Sequence, residues 1–167
     1  MNSVRSLADQ LAALLNIEVV GSPAIPAFCH ATKARIQDPL PAPSTCRYCG
    51  GHVTFTTNDV FYGRQYGEWP WCYFCSACKA YVGCHPKTDI PLGTLADSTT
   101  RKARNAAHAA FDPLWRGEGS PMKREDAYRW LSEALGIPRH ETHIGFFDRQ
   151  TCCRVVDAVG ARSPTGS

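Results

Sequence analysis

The sequence predicts an α+β fold: short β-hairpins that carry paired cysteines, followed by three to four packed helices. Three observations predict it. Two Cys-x-x-Cys pairs, Cys46/Cys49 and Cys75/Cys78, stand 25 residues apart. Around them, short runs such as VTFTT (53–57) alternate polar and apolar residues, the period of a strand. Beyond Leu95 the apolar residues recur with the period of a helix instead.

Composition sets the frame. The chain has 167 residues, long enough for one core or for a small module with an appended helical part. Hydrophobic residues make up 44% and charged residues 20%, a balance that argues against long-range disorder. No run approaches the roughly 18 consecutive apolar residues of a membrane span. The start, MNSVRSLADQLAALL, has an acid within its apolar run and no cleavage-site pattern, so it is a poor signal peptide. The chain therefore reads as soluble and intracellular.

Each element follows from local pattern. In the first part, 1–45, Leu7, Leu11, Leu14 and Leu15 share one helical face that Asn2 or Ser3 can cap, and IEVV (17–20) reads as a short strand. That helix either packs on the domain or binds a partner. Pro39, Pro41 and Pro43 then bias the chain toward a stiff, extended connector. In the second part, 46–92, Asn58-Asp59 supplies a turn after VTFTT, and VFYG is expected to return as the second strand of a hairpin. WPWCYF and AYVG are two further strands, one on either side of the second cysteine pair.

The third part, 93–160, is expected to be helical and packed on the ribbon. Asp97 or Ser98 caps a helix to Phe111, and Asp112-Pro113 opens a short helix through Trp115. Ser120-Pro121 opens another, whose apolar face is Ala127, Trp130, Leu131, Ala134 and Leu135. Gly136 and Pro138 stop it. Asp148 caps a last helix with Cys152, Val155, Val156 and Val159 on one stripe, and 161–167 is a disordered tail.

The cysteines carry the chemistry. There are nine, an odd number, with no secretory signal, which favours metal ligation over a disulfide framework. Two Cys-x-x-Cys knuckles on hairpin turns present four thiolates to a tetrahedral Zn2+ ion, and small residues after each pair let the backbone turn around the metal. The β part is thus zinc-ribbon-like, with Cys46, Cys49, Cys75 and Cys78 as ligands of one structural ion. Four thiolates leave no open position for water, so a catalytic zinc is disfavoured. Cys72 has the same spacing to Cys75 and is the alternative ligand, although its inner Tyr73 and Phe74 suit a strand better. Cys84 and His85 can supplement or replace a ligand, but a packed thiol beside a hydrogen-bonded imidazole is simpler. Cys152 is a core residue, and Cys29 and Cys153 have no identifiable partner. Four thiolates on one Zn2+ carry −2, which lowers the formal +3 to +1 and makes basicity a weak argument for a nucleic-acid partner.

The runs CSACKAYVGCH, PLGTLAD, RKARNAAHAAFDPLW, AYRWLSEALGI and HIGFF, in that order, resemble a phage and prophage family, a zinc-finger-containing domain of unknown function. The resemblance covers roughly 46–159. It implies the same four cysteine ligands and marks His85, Arg101, Arg104, His108, Asp112, Trp115 and His143 as motif positions. It implies the cytoplasm of a bacterial host as the setting and supplies no activity.

On the helix 98–111, Ala103, Ala106, Ala107 and Ala110 lie opposite Arg101, Arg104, Asn105 and His108. The polar side has three readings. It is solvated or bonded internally to the ribbon, it grips phosphates, or it joins His85 and His143 in a catalytic site. Nine of the chain's 17 aromatic residues fall within 55–81, either as ribbon core or as a surface for stacking bases. The expected function is non-enzymatic binding of nucleic acid or of a host nucleic-acid-processing protein. Direct inhibition of a host protein is a second reading, and a hydrolase or nuclease built on His85, His108 and His143 is a third. No motif points to a small-molecule cofactor or to a membrane.

Overall fold

The computed structural model describes residues 24–162. The expected N-terminal helix and strand (Leu7 to Val20) and most of the expected tail lie outside them. Among the described residues the order is α1 (His30–Lys33), β1 (Val53–Thr57), α2 (Asp59–Tyr62), β2 (Trp71–Cys75), β3 (Tyr81–Gly83), α3 (Ser98–Phe111), α4 (Arg124–Leu135) and α5 (Arg149–Ala161). Short 3-10 turns at Asp112–Leu114, Arg139–Glu141 and Ile144–Phe146 join the helices. No helix among these residues is long and apolar enough to cross a membrane.

The three strands form one antiparallel sheet in the order β1-β2-β3. Val53 faces Cys75, Phe55 faces Tyr73, and Tyr73 faces Val82, so these side chains share one side of the pleat. Val53, Tyr73, Cys75 and Val82 are buried there with Cys46, Cys84 and Leu95 as the ribbon core. On the other side, Cys72 and Phe74 lie across from Thr56 and Tyr81.

Residues VFYG do not return as a strand. They form α2, which ends at Gly63 in the left-handed region (φ 75). Asn58 decides this: its side chain accepts from the Tyr66 amide at 3.0 Å and donates to the Tyr66 carbonyl at 2.9 Å. Its own amide reaches the Pro70 carbonyl at 2.8 Å. The loop is thereby closed before any strand can form, and Phe61 is delivered onto Phe74 and Tyr81 at ring-centroid distances of 5.1 and 4.3 Å. The strand that pairs with β1 is β2.

The helices carry a second core of Phe111, Tyr128, Leu131, Ile144, Phe147 and Val155, with Cys152 fully buried among them. Asp97 caps α3 by accepting from the Thr100 amide at 2.7 Å, and Asp148 caps α5 through the Thr151 amide at 2.8 Å. Those hydrogen bonds hold both carboxyls below the usual aspartate range. Gly136, at φ 64, terminates α4 as expected. The start of α4 differs. Ser120-Pro121 does not open it, because the Met122 amide is tied to the Leu114 carbonyl at 3.0 Å and the helix begins only after Lys123. Asp112 is the first residue of its 3-10 turn rather than that turn's N-cap, since α3 runs straight into it and Asp112 closes α3 as its C-cap. On α5, Val155 is buried while Val156 is exposed.

A strap at 92–96 joins the two cores. Ala96 and Tyr81 exchange both backbone hydrogen bonds at 3.0 and 3.1 Å, which extends the sheet by one bridge. The Thr94 amide donates to the Gly145 carbonyl at 3.0 Å on the helical side. This crossing is so close that a Cβ on Gly93 would lie 2.1 Å from the Gly145 oxygen. Neither backbone can yield without losing its partner. Gly93→Ala is therefore expected to cost about 2–3 kcal/mol in urea unfolding, with zinc content preserved until the strap opens. Wild-type stability in this variant would show that the two cores are joined elsewhere.

Candidate metal centre and surrounding polar sites

The two cysteine knuckles are built alike. In the first, the Cys46 amide donates to the Gly51 carbonyl at 2.8 Å and the Gly50 amide to the Cys46 carbonyl at 2.9 Å. In the second, the Cys75 amide reaches the Ala80 carbonyl and the Lys79 amide the Cys75 carbonyl, both at 2.9 Å. The residue after each pair is left-handed, Gly50 at φ 69 and Lys79 at φ 63. Lys79 thus adopts a conformation that side chains other than glycine's disfavour by about 1–2 kcal/mol. The first knuckle leads into β1, and the second spans the turn between β2 and β3.

Folding these turns together places one sulfur atom from each of Cys46, Cys49, Cys75 and Cys78 within 4.8 Å of all the others. Cys46 Sγ lies 3.4 Å from Cys78 Sγ, and Cys49 Sγ lies 3.5 Å from Cys75 Sγ. A tetrahedron with zinc–sulfur bonds near 2.3 Å has edges of about 3.8 Å, so the cluster has the size that a zinc ion requires. Gly51 closes the cradle: a Cβ there would press on Cys49 Sγ at 3.2 Å and on Cys75 Sγ at 3.4 Å.

Electrostatics point the same way. The Cys78 backbone N–H leads the interactions that hold the Cys75 thiol down to about 7. At Cys78 the Ala80 N–H also favours the thiolate, but desolvation and the thiols of Cys46, Cys49 and Cys75 outweigh it and push the group up to about 12. Four adjacent thiols ionise together only when a cation neutralises them. The residues fit one structural Zn2+, which supplies cross-linking rather than reactivity.

Cys72 is not a ligand. It lies on the sheet face opposite Cys75, and burial, with Asp59 nearby, raises its thiol to about 12. Burial does the same to Cys84, which belongs to the ribbon core. Among the described residues, Cys46, Cys49, Cys75 and Cys78 are the sole group of three or more His, Cys, Asp or Glu placed to hold a metal.

The polar helix face separates into three environments. Arg104 points inward, beside Ala107 and Phe111 rather than opposite them, and is 9% exposed. Its guanidinium donates to the Thr94 carbonyl at 2.9 Å, Thr94 Oγ1 at 2.6 Å and the Phe147 carbonyl at 3.0 Å. Those acceptors explain why an arginine occupies the buried stripe: it braces strap against helical core and is not presented to a phosphate. Arg101 is half-buried, donates to the Ala96 carbonyl at 2.6 Å, and lies over the Tyr81 ring at 4.0 Å. His108 is exposed and pairs with Asp112 at 3.2 Å, where Arg116 also approaches.

The three histidines do not converge. His85 and His143 line one cavity of about 290 Å³, whereas His108 lines another with Asp112 and Arg116. A further cavity of about 420 Å³ holds Phe61, Tyr62, Lys79, Tyr81 and Arg101. Sequence patterns gave no sign of α2, which supplies the first two of these, because its helix depends on the Asn58 clamp.

Two outcomes test this assignment. Cys46→Ser and Cys75→Ser should each abolish stoichiometric zinc and the near-UV signature of the fold, while Cys72→Ser keeps about one zinc per chain. Metal analysis that reverses Cys72 and Cys75 would overturn the ligand set. Arg104→Met strands the buried Phe147 carbonyl and the half-buried Thr94 carbonyl and should cost about 2–3 kcal/mol in urea unfolding, with zinc retained.

The family comparison agrees with this centre. No curated protein and no solved structure matches the chain. A family model does, over residues 42–161, which takes in both knuckles, the strap and the three long helices. The chain belongs to the zinc-finger-containing domain family that this model describes.

Proposed function

We propose that this zinc-stabilised protein is a non-enzymatic accessory factor of phage or prophage origin that binds single-stranded nucleic acid. The aromatic and basic cavity on the ribbon carries the proposal. Tyr62 is 49% exposed and Tyr66 45%, and the rings meet edge to face at 5.1 Å. Arg64 lies over Tyr66 at 4.4 Å and Arg101 over Tyr81 at 4.0 Å, with Lys79 on the same rim. Exposed rings accept the face of any base, and adjacent cations follow the phosphates, which is the chemistry of single-strand recognition. Arg101 is the phosphate contact in this reading. Arg104 supports it from behind by holding the strap.

A host nucleic-acid-processing protein is the second reading. It is favoured by Val60, which is 53% exposed beside the same rings and has no role in stacking.

Fluorescence anisotropy with single-stranded oligonucleotides tests the choice. Tyr62→Ala should weaken binding by about 1–3 kcal/mol. Arg101→Ala should weaken it at low salt and reduce the slope of log K against log salt by about 0.7, and Arg101→Lys should recover part of the loss. Affinity that is absent, or indifferent to both variants, overturns the proposal. Nuclease-resistant capture of one stoichiometric partner would then favour the protein-binding reading.

A further inference from the structure

We propose that the cavity between connector, ribbon and helical part binds a phosphate monoester group through Arg35, His85, Arg124 and His143. Three separate stretches of chain build this cavity: Arg35 and Asp38 from the connector, His85 from the segment after β3, and Arg124 and His143 from the helical part. The segment leading into the connector is fastened just ahead of α1, where the Cys29 amide donates to the Lys87 carbonyl at 2.8 Å. The site is distinct from the aromatic face and goes beyond the binding reading above.

Charge is the first argument. Asp38 is the one carboxylate among the lining residues, against two guanidiniums. Neither Arg35 nor Arg124 has a carboxylate partner among the described residues, whereas the neighbouring Lys33 is already paired with Asp89. Arg124 is held instead by rings, at 5.3 Å from Trp115 and 4.8 Å from Tyr128. Stacking of that kind restrains a guanidinium without neutralising it.

Donor geometry is the second argument. His143 Nε2–H donates to the Asp38 carboxylate at 2.9 Å, which orients the ring; its Nδ1 has no protein partner among the described residues and is a donor to an anion when the ring carries both protons. The His85 ring makes no side-chain hydrogen bond among those residues, and burial favours its neutral form, which has one N–H to donate. Two guanidiniums and two imidazoles, brought to the lining of one cavity from three stretches of chain, suit a tetrahedral dianion, whereas one fork suffices for a planar carboxylate. A volume of about 290 Å³ lies at the lower end for ligand sites and fits a phosphate head group with little more attached.

The source is either a free phosphate monoester or the terminal phosphate of a nucleic-acid strand. Imidazole proton NMR of the zinc-loaded full chain, titrated with inorganic phosphate and then with a nucleoside 5′-monophosphate, reads the site directly. The His85 and His143 signals should shift together and saturate, with His108 unmoved. Arg35→Gln, on the exposed connector, should weaken binding about tenfold, and Arg124→Gln similarly, while Tyr62→Ala leaves it unchanged. Tighter binding of a 5′-phosphorylated oligonucleotide than of its 5′-hydroxyl form, lost in Arg35→Gln, identifies a strand end; preference for the mononucleotide identifies a free ligand. Absence of a saturable shift at His85 and His143, or an unchanged titration in a folded Arg35→Gln protein, overturns the proposal. The aromatic-face reading stands or falls separately, on Tyr62→Ala.

Discussion

The close packing of four cysteine sulfurs is the constraint on which the rest depends. Protonated or singly ionised, they crowd one another; fully ionised, they repel strongly unless a dication sits among them. Two of the four, Cys46 and Cys75, are also members of the ribbon core, so the metal site and the hydrophobic core of the sheet are one structure. A three-stranded sheet with strands of three to five residues buries little on its own. Zinc supplies the cross-link that such a sheet lacks, between the turn before β1 and the turn before β3.

From that centre, order passes outward through a few polar contacts. Tyr48, inside the first knuckle, donates to the Leu95 carbonyl at 3.3 Å and lies 3.1 Å from Thr100 Oγ1 at the start of α3. Arg47, its neighbour, donates to Thr94 Oγ1 at 3.0 Å. Arg104 reaches the same Thr94 from α3 and continues to Phe147. Knuckle, strap and helices therefore share hydrogen-bond partners at one short segment. A buried cation earns its place there because three oxygen acceptors surround it, although burial still disfavours its charge.

This junction also positions both candidate binding surfaces. Arg101 reaches Tyr81 because α3 begins directly after the strap pairs with β3, which brings the helix over the ribbon's aromatic side. On the other flank, the strap's approach to Gly145 holds the turn Ile144–Phe146 against the ribbon, and His143 precedes that turn. The connector then closes the second cavity through Asp38, whose backbone is left-handed at φ 51. Polar groups from distant parts of the chain meet at these places because the ribbon and the helical core are clasped along the strap and its neighbours Tyr48 and Arg101.

Local chemistry alone determined the metal centre and most element boundaries. Thiolate spacing in Cys-x-x-Cys is a property of neighbouring residues, and so are the Asp97 and Asp148 caps, the Gly136 stop and the alternation of β1. The inward turn of Arg104 was hidden, because its acceptors are the carbonyls of residues 94 and 147, which no helical wheel contains. So was α2, which exists because Asn58 clamps Tyr66 and Phe61 finds two rings on a sheet not yet formed in any local window. The separation of His108 from His85 and His143 was hidden too, since only the folded chain shows that they line different cavities. Metal ligation and capping act over a few residues and are written in the sequence; burial of a charge and convergence of a pocket depend on surfaces that only the tertiary structure brings together.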